Sequence, residues 1–274
     1  MWIFCNCLIE NPAFDTQTKE SLTTKVSQFG SKCEISEKML KDLKNSGIIE
    51  AVISLAKAKE DSKLAKTMKG TKSSRILGIS KLEDANNAGS RFSENCTLII
   101  TEGDSAKALA MAGIEAIGRD NYGVFPLKGK LLNVREASHK QILENQEIQN
   151  LIKILGLQVG KEYTDLKSLR YGRLMIMSDQ DQDGSHIKGL VINFIHHFWP
   201  SLIQINGFLK EFVTPLLKCI KGNRVESFFS MQDFKVWAQG QNLSSWKIKY
   251  YKGLGTSTNK EALEYFEQLN VHEI

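Results

Sequence analysis

The sequence lacks any cysteine or histidine spacing of the kind that ligates zinc, and its five cysteines, Cys5, Cys7, Cys33, Cys96 and Cys219, are odd in number, which speaks against a disulfide framework. Reduced thiols of a cytosolic or nuclear protein are the expectation. A one-sided charge is also missing: the net charge is only +5, an excess that permits nucleic-acid contact without demanding it. There is no apolar run of membrane-spanning length and no secretory leader, because the opening M-W-I-F-C-N-C-L-I-E-N-P has no basic stretch and soon turns polar. That opening reads as a strand belonging to a larger protein. Internal repeats and low-complexity tracts are absent too. What remains is a chain of 274 residues, 42% hydrophobic and 24% charged, with the balance of a soluble globular protein and length enough for more than one module.

The most informative feature is a run of acids. Asp179, Asp181 and Asp183 alternate along the chain just after the apolar stretch 174–177 and just before Gly184. Like charges this close repel one another by energies on the order of kilocalories at intermediate dielectric, so they need solvent or a cation. Carboxylate oxygens are hard donors and favour Mg²⁺, Mn²⁺ or Ca²⁺. The string D-Q-D-Q-D-G matches the first half of an EF-hand loop, but the bidentate glutamate required at its twelfth position is Leu190 here.

Beyond the acids, Ile187, Leu190, Val191, Phe194, Ile195 and Phe198 recur at helical spacing, and Pro200 is expected to end that helix. The acids therefore sit on a strand-to-helix turn, at the edge of a parallel sheet where ligands collect. A second such unit precedes it: 96–101 reads as a buried strand, Glu102 to Ser105 as a tight turn and Ala106 to Ile114 as a helix. Glu102 thus tops a neighbouring strand, with Asp104 and Ser105 placed either to cap the helix or to assist a metal. Further along, Ser138 to Leu155 reads as helix, Glu211 to Ile220 as a strand with Pro215 at an edge or bulge, and Trp246 to Tyr251 as another strand. Upstream, Ser36 to Met68 is helical with a break at Gly47, and the basic, Gly-interrupted stretch after it suits a linker. The expected organisation is 1–66, a linker at 67–77, and a domain over 78–274.

E-G-D-S-A followed by D-x-D-x-D-G-S-H-I resembles the TOPRIM domain of type IIA DNA topoisomerases. The segment Pro126 to Val134 resembles that family's P-L-[RK]-G-K-x-L-N-V, and Tyr251-Lys252-Gly253-Leu254-Gly255 resembles its Y-K-G-L-G. Asn11 to Asp15 and Gln17-Thr18-Lys19 resemble the end of the ATPase region of the eukaryotic-type enzyme. Ser90 and Ser178 depart from the family pattern, where Gly and Thr are usual.

The resemblance implies an α/β fold: a Rossmann-like parallel TOPRIM sheet flanked by helices, preceded by part of an α+β transducer segment. It implies Glu102, Asp179 and Asp181 as catalytic residues, and the same three with Asp183 as ligands of Mg²⁺, for which Mn²⁺ or Ca²⁺ substitutes in binding. Glu102 would also move a proton during resealing. Lys128, Lys130 and Lys252 would contact DNA phosphates, with Gly253 and Gly255 allowing close approach of DNA or of a neighbouring domain. Gln17 and Lys19 would sense the γ-phosphate of ATP bound elsewhere in a full-length enzyme. The partners implied are double-stranded DNA and a second copy of the full-length protein, with a nuclear location and no membrane. The family's nucleophilic tyrosine is expected after the Y-K-G-L-G segment, so the isolated chain is expected to be inactive. The alternative is a genuine short protein that binds DNA, metal or a topoisomerase subunit without catalysis.

Overall fold

The computed structural model describes residue 6 and residues 8–274 apart from 31, 33 and 252, so Cys5, Cys7, Cys33, Lys252 and most of the expected opening strand lie outside the described residues. The chain divides into two compact units, one through Lys59 and one from Glu60 onward.

In the first unit, Phe14 and Leu22 form an isolated antiparallel bridge. Helix α1 (Glu37–Asn45) starts at Ser36, whose hydroxyl accepts the Met39 amide, the usual role of serine at a helix start. Gly47, at φ +72°, separates it from α2 (Ile48–Thr67). The α+β part expected ahead of the sheet shows, among the described residues of the first unit, these helices, a 3-10 turn at Val26–Gln28 and that bridge.

The second unit is built on strands β1 (Thr97–Glu102), β2 (Tyr122–Leu127), β3 (Arg173–Met177) and β4 (Leu209–Phe212), all parallel in the order β2-β1-β3-β4. The connections are α3 (Gly103–Ile117) between β1 and β2, α4 (His139–Glu144) and α5 (Gln146–Leu155) before β3, and α6 (Gln182–Phe198) and α7 (Pro200–Gln204) before β4. Central strands of a parallel sheet are covered on both faces and become continuously apolar. Thus Leu98 and Ile100 face a core shared with Leu151 of α5 and Phe194 of α6, while Ile99 and Met175 face a second core with Leu109 of α3 and Phe266 further on. Each such side chain contributes about 1.5–3 kcal/mol by leaving water.

After β4, strands β5 (Leu217–Lys221), β6 (Arg224–Phe228) and β7 (Lys247–Tyr250) form an antiparallel sheet with α8 (Met231–Ala238), packed around Leu217, Cys219, Phe228 and Phe234. Helices α9 (Asn259–Glu267) and α10 (Leu269–His272) close the chain, α9 lying on the face of the parallel sheet that carries α3.

Three sequence expectations need correction. The strand expected over Glu211–Ile220 is two strands in two sheets, because at 213–216 the chain leaves β4: Val213 pairs with the His272 carbonyl and Pro215 has no amide to donate. The helix over Ser138–Leu155 breaks at Asn145, which ends α4 and, through its side chain, caps α5 at the Ile148 amide. Helix α6 begins at Gln182, within the acidic run, because Asp181 caps it there. The helix expected to end at Pro200 does so: α6 stops at Phe198, and Pro200 opens α7 at its first turn, where its missing amide costs nothing.

Within 68–85, Met68 and Ala85 are buried in the second unit's core and Ile76, Ile79 and Leu82 pack against it, while 71–75 and Leu77 are exposed. Gly70 donates to the Leu157 carbonyl, and the wholly buried Arg170 guanidinium reaches Asp84 at 2.6 Å and the Ile154 carbonyl at 2.9 Å. No helix among the described residues is long and apolar enough to cross a membrane.

Candidate metal centre

Strand order reverses between β1 and β3: the connection after β1 leads to one side and the connection after β2 to the other. At such a switch point the loops at the carboxyl ends of the strands part and leave a crevice. Thr101 pairs in register with Met177, so Glu102 and the run beginning at Ser178 emerge side by side from neighbouring strands. Glu102 passes straight into α3 through Gly103, whose φ of +78° makes the sharp bend, and its Oε2 accepts the Asp179 amide at 3.4 Å. Burial pushes the Glu102 carboxyl above the ordinary glutamate value. The negative charges of Asp179, Asp181 and Asp183 push the same way, against the opposing pull of the Asp179 amide.

The three aspartates have three different partners. Asp179 Oδ1 accepts the Leu254 backbone amide at 2.7 Å. Asp181 Oδ1 accepts the Gly184 amide at 2.8 Å, which satisfies one unpaired donor at the start of α6. Asp183 projects into solvent and meets Lys130 Nζ at 2.8 Å, and that lysine holds its carboxyl below the ordinary aspartate value. Gly184 closes the turn by close approach: a Cβ there would lie 1.9 Å from the Asp179 carbonyl oxygen. Only glycine lets α6 begin this near the strand.

Glu102 and Asp179 are therefore brought together, while Asp181 and Asp183 sit on the first turn of α6 and its cap. Lys128 and Lys130 are exposed on the loop after β2, Lys130 already paired with Asp183. Lys252 lies outside the described residues. Gln17 and Lys19 are exposed in the first unit, with Lys19 at φ +57° and its ammonium 5.7 Å from the Phe14 ring centroid. Asp104 does not cap α3; it lies within the first turn and pairs with Lys81 at 2.8 Å. His186 is exposed, as are His196 and His197.

Sequence reading missed the partner of Asp179. Gly253 was expected to admit DNA or another domain, yet what approaches it is the Asp179 carboxylate: a Cβ on Gly253 would lie 2.4 Å from Oδ2. The signal was the glycine pair itself, which marks close approach without saying of what. Lys81 was likewise unmarked, one lysine among many.

The donors on this edge fit a hard divalent cation in kind, being carboxylate oxygens around one crevice with a glutamate whose charge is disfavoured by burial and, further, by its neighbours' charge. Among the described residues no three acidic, histidine or cysteine side chains already converge as a ligand set, consistent with the separate hydrogen bonds of the aspartates.

Residues 97–215 match the Toprim domain family, 212–274 the C-terminal associated domain of TOPRIM, and 1–71 the DNA gyrase B family. The chain is 62% identical over 275 residues to DNA topoisomerase 2 of Pisum sativum, covering 99% of this chain and 19% of that protein. It is 60% identical to DNA topoisomerase 2-beta of Gallus gallus and 59% identical to that of Homo sapiens, in each case across 100% of this chain and 17% of the relative. The crystal structure of the Plasmodium falciparum topoisomerase II DNA-binding, cleavage and re-ligation domain superposes with a TM-score of 0.71 at 60% identity, covering 73% of this chain and 28% of that one. The chain thus spans less than a fifth of the length of these curated relatives, and three matches in sequence order, on a four-stranded parallel sheet with acids at its switch point, place it in the eukaryotic DNA topoisomerase II family, of which it spans the TOPRIM region.

Proposed function

We propose that these residues form the cation-holding edge of an ATP-dependent type II DNA topoisomerase, which opens one duplex transiently, passes another through the gap and reseals the first. The observation that supports this reading is the Glu102 carboxylate lying against the Asp179 backbone amide at the β1–β3 switch point. In this reading Glu102, Asp179 and Asp181 are catalytic and hold Mg²⁺, the ion TOPRIM domains typically bind, with Asp183 as a further ligand or support. Mn²⁺ or Ca²⁺ would take the same oxygens. The ion, when bound, supplies positive charge against the departing 3′ oxygen and a non-bridging phosphate oxygen.

The chain's own residues do the rest. Glu102, with its carboxyl raised, keeps a proton to higher pH than an ordinary glutamate and can exchange it with the leaving 3′ oxygen. Asp179 is held by the Leu254 amide rather than left to rotate, and Asp181 is fixed by its cap to α6. Lys128, Lys130 and Lys252 would hold the DNA backbone by charge, without reading bases. Gln17 and Lys19 would meet the γ-phosphate of ATP bound by residues outside this sequence. Family members act on DNA as dimers and are typically nuclear; we assign double-stranded DNA, a homodimer and the nucleus here.

The test is a graft. These 274 residues alone are expected neither to hydrolyse ATP nor to relax supercoiled DNA. Placed in a complete eukaryotic topoisomerase II in exchange for the matching segment, they should support Mg²⁺-dependent relaxation. Glu102→Ala or Asp181→Ala in that graft should slow cleavage at least about tenfold. A doubly substituted graft that relaxes DNA normally would overturn the reading.

A further inference from the structure

Asp179 is supported by a part of the chain that neither of the flanking strands supplies. The Leu254 amide donates to Oδ1 at 2.7 Å, and the bare Cα of Gly253 accepts the whole carboxylate, since a Cβ there would lie 2.4 Å from Oδ2, 2.7 Å from Cγ and 2.9 Å from Oδ1. This short stretch is anchored on both sides. Before it, the Tyr251 amide donates to the Leu216 carbonyl at 2.9 Å and the Tyr251 hydroxyl to the Glu261 carboxylate. After it, Leu254 is buried in the core beneath α3 and α9, and Thr258 and Glu261 close a reciprocal cap at the start of α9. Glu261 also takes Lys249 Nζ at 2.8 Å, so one carboxylate ties β7, the loop and α9 together.

We propose that Gly253 and the Leu254 amide, anchored through Tyr251 and Glu261, are positioning groups for Asp179: they fix the carboxylate's rotamer so that its remaining acceptor positions are presented to the cation. A carboxylate has about four acceptor positions, and one amide uses one of them. Outer hydrogen bonds to ligating carboxylates orient the ligand, and their removal typically weakens metal binding 10–100-fold. The proposal rests on the reading of Asp179 as a ligand. It makes the Y-K-G-L-G segment part of the cation site, through backbone that carries no charge of its own.

The test is Mn²⁺ titration of the full chain by calorimetry and by the Mn²⁺ electron-spin signal. Gly253→Ala should bind at least about tenfold more weakly, whereas Gly240→Ala, whose added Cβ meets nothing within 4 Å and which lies outside the segment, should stay within about twofold of the unsubstituted chain. In an Asp179→Ala background, Gly253→Ala should add less than about twofold, because the group it positions is gone. Wild-type affinity in Gly253→Ala, or its full loss repeated in the Asp179→Ala background, would overturn the proposal.

Gly253 has φ +147°, so alanine is strained there whatever surrounds it; should Gly253→Ala fail to fold, Glu261→Gln loosens the same loop and should weaken Mn²⁺ binding about threefold with circular dichroism unchanged. Unchanged affinity in that variant would count against the proposal. A urea double-mutant cycle between Gly253→Ala and Asp179→Ala needs no metal. Backbone strain cancels in the cycle, so a smaller midpoint loss from Gly253→Ala when Asp179 is already alanine confirms the contact, and strict additivity refutes it. If neither Glu102→Ala nor Asp179→Ala alters Mn²⁺ binding, the ligand reading fails while the cycle still reports on the contact.

Discussion

The two turns that frame the crevice have the same layout and opposite electrostatics. After β1 the chain bends once at Gly103 and leaves a single half-buried acid, Glu102, whose carboxyl is raised by burial and by the aspartates across the crevice. After β3 the chain makes a longer turn in which Asp181 is spent on the helix and Asp183 faces solvent beside Lys130, which lowers its carboxyl. Identical chemistry in the side chains thus gives one group that resists its charge and another that keeps it readily. The difference comes from burial and partners, not from residue type. The work divides accordingly, with the proton-holding Glu102 on the β1 side and, on the β3 side, Asp183 held in its charged form by Lys130.

Substitutions that attack one turn and spare the other should separate them. The largest effect is expected from Gly184→Ala, which forces a Cβ onto the Asp179 carbonyl; urea unfolding should show a loss of about 3 kcal/mol or more. Gly103→Ala in the β1 turn meets nothing within 4 Å and carries only its φ of +78°, so about 1 kcal/mol is expected. Equal losses would show that the β3 turn is not the tighter of the two.

Acid should expose the second difference, because the loop anchored by Glu261 donates its Leu254 amide to Asp179 in the β3 turn. Burial raises the Glu261 carboxyl, but hydrogen bonds from Lys249, Tyr251 and Thr258 outweigh it and bring it down to about 2. A carboxyl depressed in the folded state stabilises above its unfolded value near 4.5, and that contribution disappears as pH falls toward 2. The unsubstituted chain should therefore lose on the order of 2 kcal/mol across that window beyond any loss in Glu261→Gln, which lacks the contribution throughout. Parallel pH profiles would contradict this. Smaller still, Asp181→Ala should cost about 1 kcal/mol by uncapping α6, while Asp104→Ala, which caps nothing and loses only an exposed ion pair with Lys81, should move the urea midpoint less.

The smallest effect carries the clearest sign. Glu102 is raised in the folded state, so its ionisation works against folding once pH exceeds its unfolded value. In a metal-free chain Glu102→Gln should raise the melting temperature at neutral pH, and the gain should vanish below about pH 4.5. Asp183→Asn should not raise it at any pH, because the Lys130 pair favours the charged form. A Glu102→Gln variant that melts lower at pH 7 would mean its charge is not resisted.

Much of this geometry was legible in the sequence, and the remainder was hidden for identifiable reasons. The strand 174–177, the helix through Phe194 and the neighbouring Glu102 follow from apolar periodicity, because buried parallel strands and amphipathic helices must display it. Helix starts were read too late: α6 begins at Gln182 because an aspartate inside the acidic run caps it, a role that looks in sequence like one more metal ligand. The split of 211–220 was hidden because both pieces carry β-prone residues such as Phe212, Val213 and Ile220, and only Pro215 hinted at the change of sheet. Lys130 reads as a solvent-facing base until the fold brings Asp183, 53 positions away, beside it. The seat of Asp179 on Gly253 was the least legible, since a backbone amide leaves no mark in the side-chain pattern and joins residues 75 apart.

The central claim is that Glu102 and Asp179 form one cation-holding unit while Asp183 is peripheral to it. Calorimetric titration of the full chain with Mn²⁺ tests it most directly. The chain should bind weakly, since sites of this kind borrow ligands from substrate phosphates; Asp179→Ala should lose more affinity than Asp183→Ala, and Glu102→Ala with Asp179→Ala together should abolish measurable binding. Unchanged Mn²⁺ affinity in that double variant would contradict the account.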